Sequence, residues 1–87
     1  MDDELELLKR ITFNPNIYGG KAIIRGRRLA VEHVLDMLAA GSPPQEIVDA
    51  YDWLELEDIH ACLHYAARVI GNESFESQLV TSETPDR

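Results

Sequence analysis

A mainly α fold, with three helices behind a short β-strand or hairpin arm and ahead of a flexible tail, follows from three features of this 87-residue chain. A 3.6-residue apolar period begins only at residue 31. Before it, residues 11–29 alternate short β-prone runs with turn signals. After residue 71 no period is sustained. The organisation expected is an acidic lead over residues 1–10, one domain over 11–71 with its β arm at 11–29, and a tail over 72–87.

In the arm, Ile11-Thr12-Phe13 is β-prone and is stopped by Asn14-Pro15-Asn16. Gly19-Gly20 permits positive φ, Lys21-Ala22-Ile23-Ile24 is again strand-like, and Arg25-Gly26-Arg27 supplies a second turn. In the first helix, Val31, Val34, Leu35 and Leu38 share one face, and Gly41 ends it at a C′ position. The second helix opens at Ser42-Pro43-Pro44-Gln45, where Ser42 is expected as N-cap, Pro43 at N1 and Gln45 at N3 to complete a capping box. Its apolar side is Ile47, Val48, Tyr51 and then Leu54. In the third helix, Leu56, Ile59, Leu63, Ala66 and Ile70 recur at spacings of three and four, Glu55, Glu57 and Asp58 crowd the first turn, and Gly71-Asn72 closes the element. The tail carries Phe75, Leu79 and Val80 as residues to bury against a partner.

The chain carries 16 Asp+Glu against 8 Lys+Arg, a net charge of −8, yet the sign is distributed in blocks. Residues 1–8 sum to −4, residues 9–31 to +6 without one carboxylate, and residues 32–87 to −10. A uniformly acidic chain argues against nucleic acid as a partner. A local basic stretch does not, because clustered cations neutralise phosphates within a screening length of about 8–10 Å whatever the total charge. Lys21, Arg25, Arg27 and Arg28 are therefore the candidate DNA contacts. Their structural alternative is local pairing of one arginine, Arg25 foremost, with an acid such as Glu32 at the start of the first helix.

Other chemistries find little support. No apolar run is long enough for a membrane span or a secretory leader. The single cysteine, Cys62, excludes a disulfide framework and reads as a small buried or interface residue. His60 and His64 sit four residues apart on the third helix, but the glutamate of an H-E-x-x-H motif is replaced by Ala61 and no third ligand converges, so no metal is expected. His33 is a solitary residue of the first helix. Tyr51 and Trp53 read as packing residues rather than base-stacking platforms. The phosphate-loop spacing is absent, and no pair of carboxylates is enclosed, so neither an enzyme, a cofactor nor a small-molecule substrate is expected.

Three helices with a tight turn between the second and third also match the spacing of a helix-turn-helix. The string Gly19-Gly20-Lys21-Ala22-Ile23-Ile24-Arg25-Gly26-Arg27-Arg28, with Gly41, Glu46-Ile47, Tyr51, Leu54, Glu57-Asp58-Ile59 and then Leu63, Tyr65 and Ala66, resembles the domain-of-unknown-function 433 family over residues 11–70. The sequence departs from the family pattern at Asp52, where proline is favoured, and at Glu55, where threonine caps the last helix. The resemblance implies a homeodomain-like helix-turn-helix and an antitoxin of the VapB class from a bacterial type II toxin–antitoxin pair. Such a protein is expected in the cytoplasm, away from membranes, as a homodimer or higher oligomer. It would bind operator DNA and silence a PIN-like ribonuclease toxin. The basic arm would serve DNA, and Glu57, His60, His64, Phe75 and Leu79 would face the basic toxin. The competing reading is a protein–protein adaptor or oligomeric module without DNA binding.

Overall fold

The computed structural model describes residues 4–71. In chain order they form helix α1 (Glu4–Leu8), strand β1 (Ile11–Phe13), a 3-10 turn (Tyr18–Gly20), strand β2 (Ala22–Ile24) and helices α2 (Val31–Ala39), α3 (Pro44–Ala50) and α4 (Leu56–Gly71). The protein is mainly helical, and the expected arm is a two-stranded antiparallel hairpin in which Ile11 pairs with Ile24 and Phe13 with Ala22. The helices α2, α3 and α4 are the three read from the sequence. Phe75, Leu79 and the rest of the tail lie outside the described residues.

Local chemistry explains the arm. Asn14 closes its turn twice, its carbonyl accepting from Ile17 N–H at 2.9 Å and its side-chain oxygen from Asn16 N–H at 2.8 Å. At the end of β2, Arg25 (φ 47°) and Gly26 (φ 71°) are both left-handed, and Arg27 N–H donates to Ile24 O at 2.8 Å. This is a type I′ turn, whose hand suits strand twist. Glycine adopts it freely, whereas Arg25 must be held there. The Thr12 hydroxyl on β1 accepts from Gly26 N–H at 2.8 Å and ties the turn to the hairpin.

The helical part condenses on one core in which Ile11, Ile24, Leu29, Val34, Ile47, Leu54, Ile59 and Cys62 meet. Val31 and Val34 of α2 and Ile47 of α3 are buried, as their period requires. The first expected terminator also holds. Gly41 (φ 102°) lets its own N–H bond Leu38 O and Ser42 N–H bond Met37 O, both at 3.0 Å, which is a Schellman closure of α2.

Three expectations need correction. Ser42 is not the cap of α3: the N-cap is Pro43, with no side-chain cap bond, and Gln45 donates to Asp49 at 2.9 Å instead of closing a capping box. A residue preceding proline is driven out of the helical region, so Pro43 cannot begin a helix that Pro44 continues. The apolar stripe of α4 is also rotated. Asp58, Ile59, Ala61 and Cys62 face the core, while Leu56, Leu63 and Ile70 are 40%, 46% and 64% exposed. Finally, the acidic lead contains the helix α1, whose Leu7 is buried and which packs along α4. Five residues are too few to display a period, so this helix is held by tertiary contact.

A Cβ at position 41 meets no atom within 4 Å, so the only penalty of Gly41→Ala is its backbone angle. That substitution is expected to lower stability by about 1 kcal/mol, read as a shift of the urea midpoint at unchanged m-value.

Candidate functional site

The centre of the site is a carboxylate that the sequence presents as a surface acid. Asp58, the third residue of α4, has no exposed surface. Its Oδ1 accepts from Arg25 Nε and from Arg10 Nη1, each at 3.0 Å. Its Oδ2 accepts from Arg25 Nη2 at 2.7 Å and from Glu55 N–H at 2.9 Å. Four donors match the acceptor capacity of an ionised carboxylate. The bond to Glu55 N–H is the return arm of a capping box, so Asp58 also caps its own helix. Glu55, standing where threonine would cap, has another use: its side chain accepts from Arg10 Nη1 at 2.8 Å.

Burial pushes the Asp58 carboxyl up. The bonds from Arg25, Glu55 N–H and Arg10 outweigh that effect and hold it below the usual aspartate range. Correspondingly, the bond to Glu55 and then the bond to Asp58 raise Arg10, and the bond to Asp58 raises Arg25. The acids at the start of α4 therefore differ in kind: Asp58 is buried and paired, Glu55 is paired, and Glu57 alone is exposed without a partner among the described residues.

Arg25 is the structural arginine of the arm, but its partner is Asp58. Glu32 pairs instead with Lys21, at 3.0 Å. A further bond from Arg25 Nη2 to Trp53 O, at 2.8 Å, fastens the turn to the α3–α4 connection. Arg27 stacks its guanidinium over the Trp53 ring, 4.8 Å from the centroid, and Trp53 packs against Tyr51 at 6.0 Å. Arg28 gives only its carbonyl, which accepts from the Tyr18 hydroxyl at 3.1 Å. Of the four candidate DNA contacts, Arg27 and Arg28 are thus exposed with no carboxylate partner among the described residues. Lys21 is exposed and paired, and Arg25 is committed to the core.

The partner candidates sit elsewhere on α4. Glu57 and His60 are exposed, and His60, Leu63, His64 and Ala67 line a shallow depression. His64 Nδ1 lies 3.7 Å from Glu4 Oε2, which also accepts from Arg68 Nε at 2.6 Å. That bond holds Glu4 below its ordinary value. Phe75 and Leu79 lie outside the described residues. Among the described residues no group of three or more His, Cys, Asp or Glu could hold a metal ion, and no helix is long and apolar enough to cross a membrane. Cys62 is buried, and burial, aided by the charge of Asp58, pushes its thiol up to about 12.

Sequence reasoning missed Arg10 and His33. Arg10 belongs to the basic stretch but its two acid partners lie 45 and 48 residues away. His33 accepts at Nδ1 from Ala30 N–H at 3.2 Å, capping α2 from its N3 position, and meets the Tyr18 ring edge-on at 5.2 Å.

Fold and site together define a small α-helical domain that projects a cationic turn from a buried aspartate anchor. The family described as "Protein of unknown function (DUF433)" matches residues 11–66, and the chain belongs to that family. The chain is also similar to the "Uncharacterized protein y4eO" of Sinorhizobium fredii (strain NBRC 101917 / NGR234), at 32% identity over 66 residues. That match covers 76% of the chain and 30% of the relative's length. No solved structure matches the chain significantly.

Removing the anchor leaves two arginines facing an uncharged group in a part-buried site. Asp58→Asn is expected to cost about 3 kcal/mol of unfolding free energy at neutral pH. Because the folded pKa is depressed, Asp58's contribution is complete above the ordinary aspartate value and fades as pH falls below it toward the folded value. The difference between wild type and variant should therefore shrink below about pH 4 in urea titrations. In the native protein Cys62 should resist a thiol reagent at pH 8 and react fully on unfolding, which absorbance of the released chromophore reads.

Proposed function

We propose that this chain is an antitoxin-like protein of a bacterial type II toxin–antitoxin pair, carrying a homeodomain-like helix-turn-helix built from α2, α3 and α4. It binds operator DNA as a dimer and neutralises a PIN-like ribonuclease toxin. The observation that carries the DNA reading is the division within the arm: Arg25 is consumed by Asp58, which fixes the turn and leaves Arg27 and Arg28 uncompensated at its tip. Guanidinium groups suit phosphate, and the Trp53 ring holds that of Arg27 without neutralising it. The pairing of Asp58 and Glu55 supports the same reading, since it removes most of the repulsion that the start of α4 would offer DNA.

For the toxin, the supporting feature is the face of α4 that presents Glu57, His60 and His64, together with the acidic composition of the following sequence, in which Phe75 and Leu79 stand. A ribonuclease attracts RNA phosphate with basic surface, and an acidic partner complements it. The adaptor reading, without DNA, draws on a different observation: Leu56 and Leu63 are large apolar residues left exposed on that helix.

The test is a gel shift on the DNA upstream of the gene over a salt series. Affinity should fall with salt, and Arg27→Ala with Arg28→Ala should flatten the log–log slope by about 0.9 for each phosphate contact removed. The double variant should lose only the Arg27–Trp53 contact, about 0.5–1 kcal/mol, whereas Arg25→Ala should cost more stability and lower binding as well. No shift at about 50 mM salt, with a stable complex to the neighbouring gene product, would establish the adaptor instead.

A further inference from the structure

The buried stripe of α4 outruns the bundle that covers it. Ile59 and Cys62 are fully buried, Tyr65 and Ala66 are half-buried, and Val69 and Ile70 at the next turn are 43% and 64% exposed. Tyr65, Ala66, Val69 and Ile70, together with Ala22 of β2 and Leu35 of α2, line an open groove of about 360 Å³. Phe13, 59% exposed, extends the apolar face beyond it: its ring lies 6.2 Å from Tyr65, and it pairs in register with Ala22.

We propose that this groove is a self-association face, filled by the same face of a second copy across a two-fold axis. This deepens the dimer of the proposed function and rests on that element of it, but on neither DNA nor toxin. Three observations carry it. A pocket for a small ligand needs convergent polar groups, and among the described residues the only charged or hydrogen-bonding side chains here besides the Tyr65 hydroxyl are Lys21 and Glu32, already bonded to each other. The face carries both parts of a self-complementary packing, with small floor residues Ala22 and Ala66 beside the projecting Val69 and Ile70. The charges complement themselves as well. Lys21 and Glu32 are exposed neighbours of opposite sign, so a two-fold axis at the groove can set each against its opposite on the partner.

Sedimentation equilibrium of the full chain is the test. Wild type should sediment at twice its 9.8 kDa mass in the micromolar range. Val69→Glu and Ile70→Glu, each at an exposed position, should raise the dimer dissociation constant about 100-fold, whereas Leu63→Glu on the other face should not. Mixing Lys21→Glu with Glu32→Lys chains should give heterodimers in preference to either homodimer, a readout that an intramolecular pair alone would not move. Should the glutamate variants fail to fold, wild-type amide exchange over residues 65–70 should slow as protein concentration rises. A monomeric wild type at tens of micromolar, or a dimer indifferent to both Val69 and Ile70 with exchange independent of concentration, overturns the proposal. A monomer that still shifts operator DNA would overturn this face while leaving the DNA reading intact.

Discussion

Taking the Asp58 carboxylate out of water costs several kcal/mol, and the fold is arranged around repaying that cost. The four donors come from three stretches of chain: Arg10 before β1, Arg25 in the turn after β2, and the backbone at Glu55 where α4 begins. None of these can shift without leaving the buried carboxylate short of at least one donor. A hairpin of two three-residue strands is marginal alone, and apolar contacts between Ile11, Ile24 and α4 fix its position only loosely. The directional bonds of the anchor set its register against the helices. They also hold Arg25 in the left-handed conformation that the type I′ turn requires, so the strained residue and the one that relieves the buried charge are the same.

That arrangement changes what the net charge means. Of the sixteen carboxylates, six lie outside residues 4–71, which carry ten acids and seven Lys+Arg, a net of −3. Within this span Glu4, Glu6, Glu32, Glu55 and Asp58 are engaged by cations. Asp36 lies on α2, Glu46 and Asp49 lie on α3, and Asp52 precedes Trp53, the residue on which Arg27 stacks. The basic stretch therefore does two jobs with different residues. Arg10 and Arg25 are spent on folding, and Arg27 and Arg28 remain as exposed charge.

The elements legible in the sequence were those that announce themselves locally. The arm shows in its turn residues, α2 in its period and its terminating Gly41, and α3 in its proline start and Ile47. What escaped depends on residues far apart. Asp58 stands in a run with Glu55 and Glu57, and no local rule separates the acid that will be buried from its neighbours; the difference lies in arginines 33 and 48 residues away. The stripe of α4 was misassigned for a related reason. Its apolar residues surround more of the helix than one contact face needs, so Leu56, Leu63 and Ile70 fit the period as well as Cys62 does. Only the position of the other helices decides which set is covered. Arg25 was legible as the structural member of its cluster, but Glu32 was the nearer acid in sequence and the wrong partner.

The anchor and the groove occupy opposite ends of α4. From Asp58 to Val69 is eleven residues, about 16 Å of helix. At that separation, with no shared partner, their contributions to stability should add. The two ends nevertheless serve one purpose on the proposed reading. Two free arginines per copy can neutralise two phosphates, giving a salt slope near −1.8, whereas specific DNA binders commonly make 6–10 such contacts (about −5 to −9). One copy is electrostatically weak. A second copy doubles the cationic tips on one duplex, and linkage turns the second contact into an intramolecular event. Self-association through the far end of α4 is thus what would lift the arm from weak phosphate attraction to operator binding. In such a dimer the rigidity of that helix, pinned at its first turn by Asp58, would keep the two tips at a fixed separation.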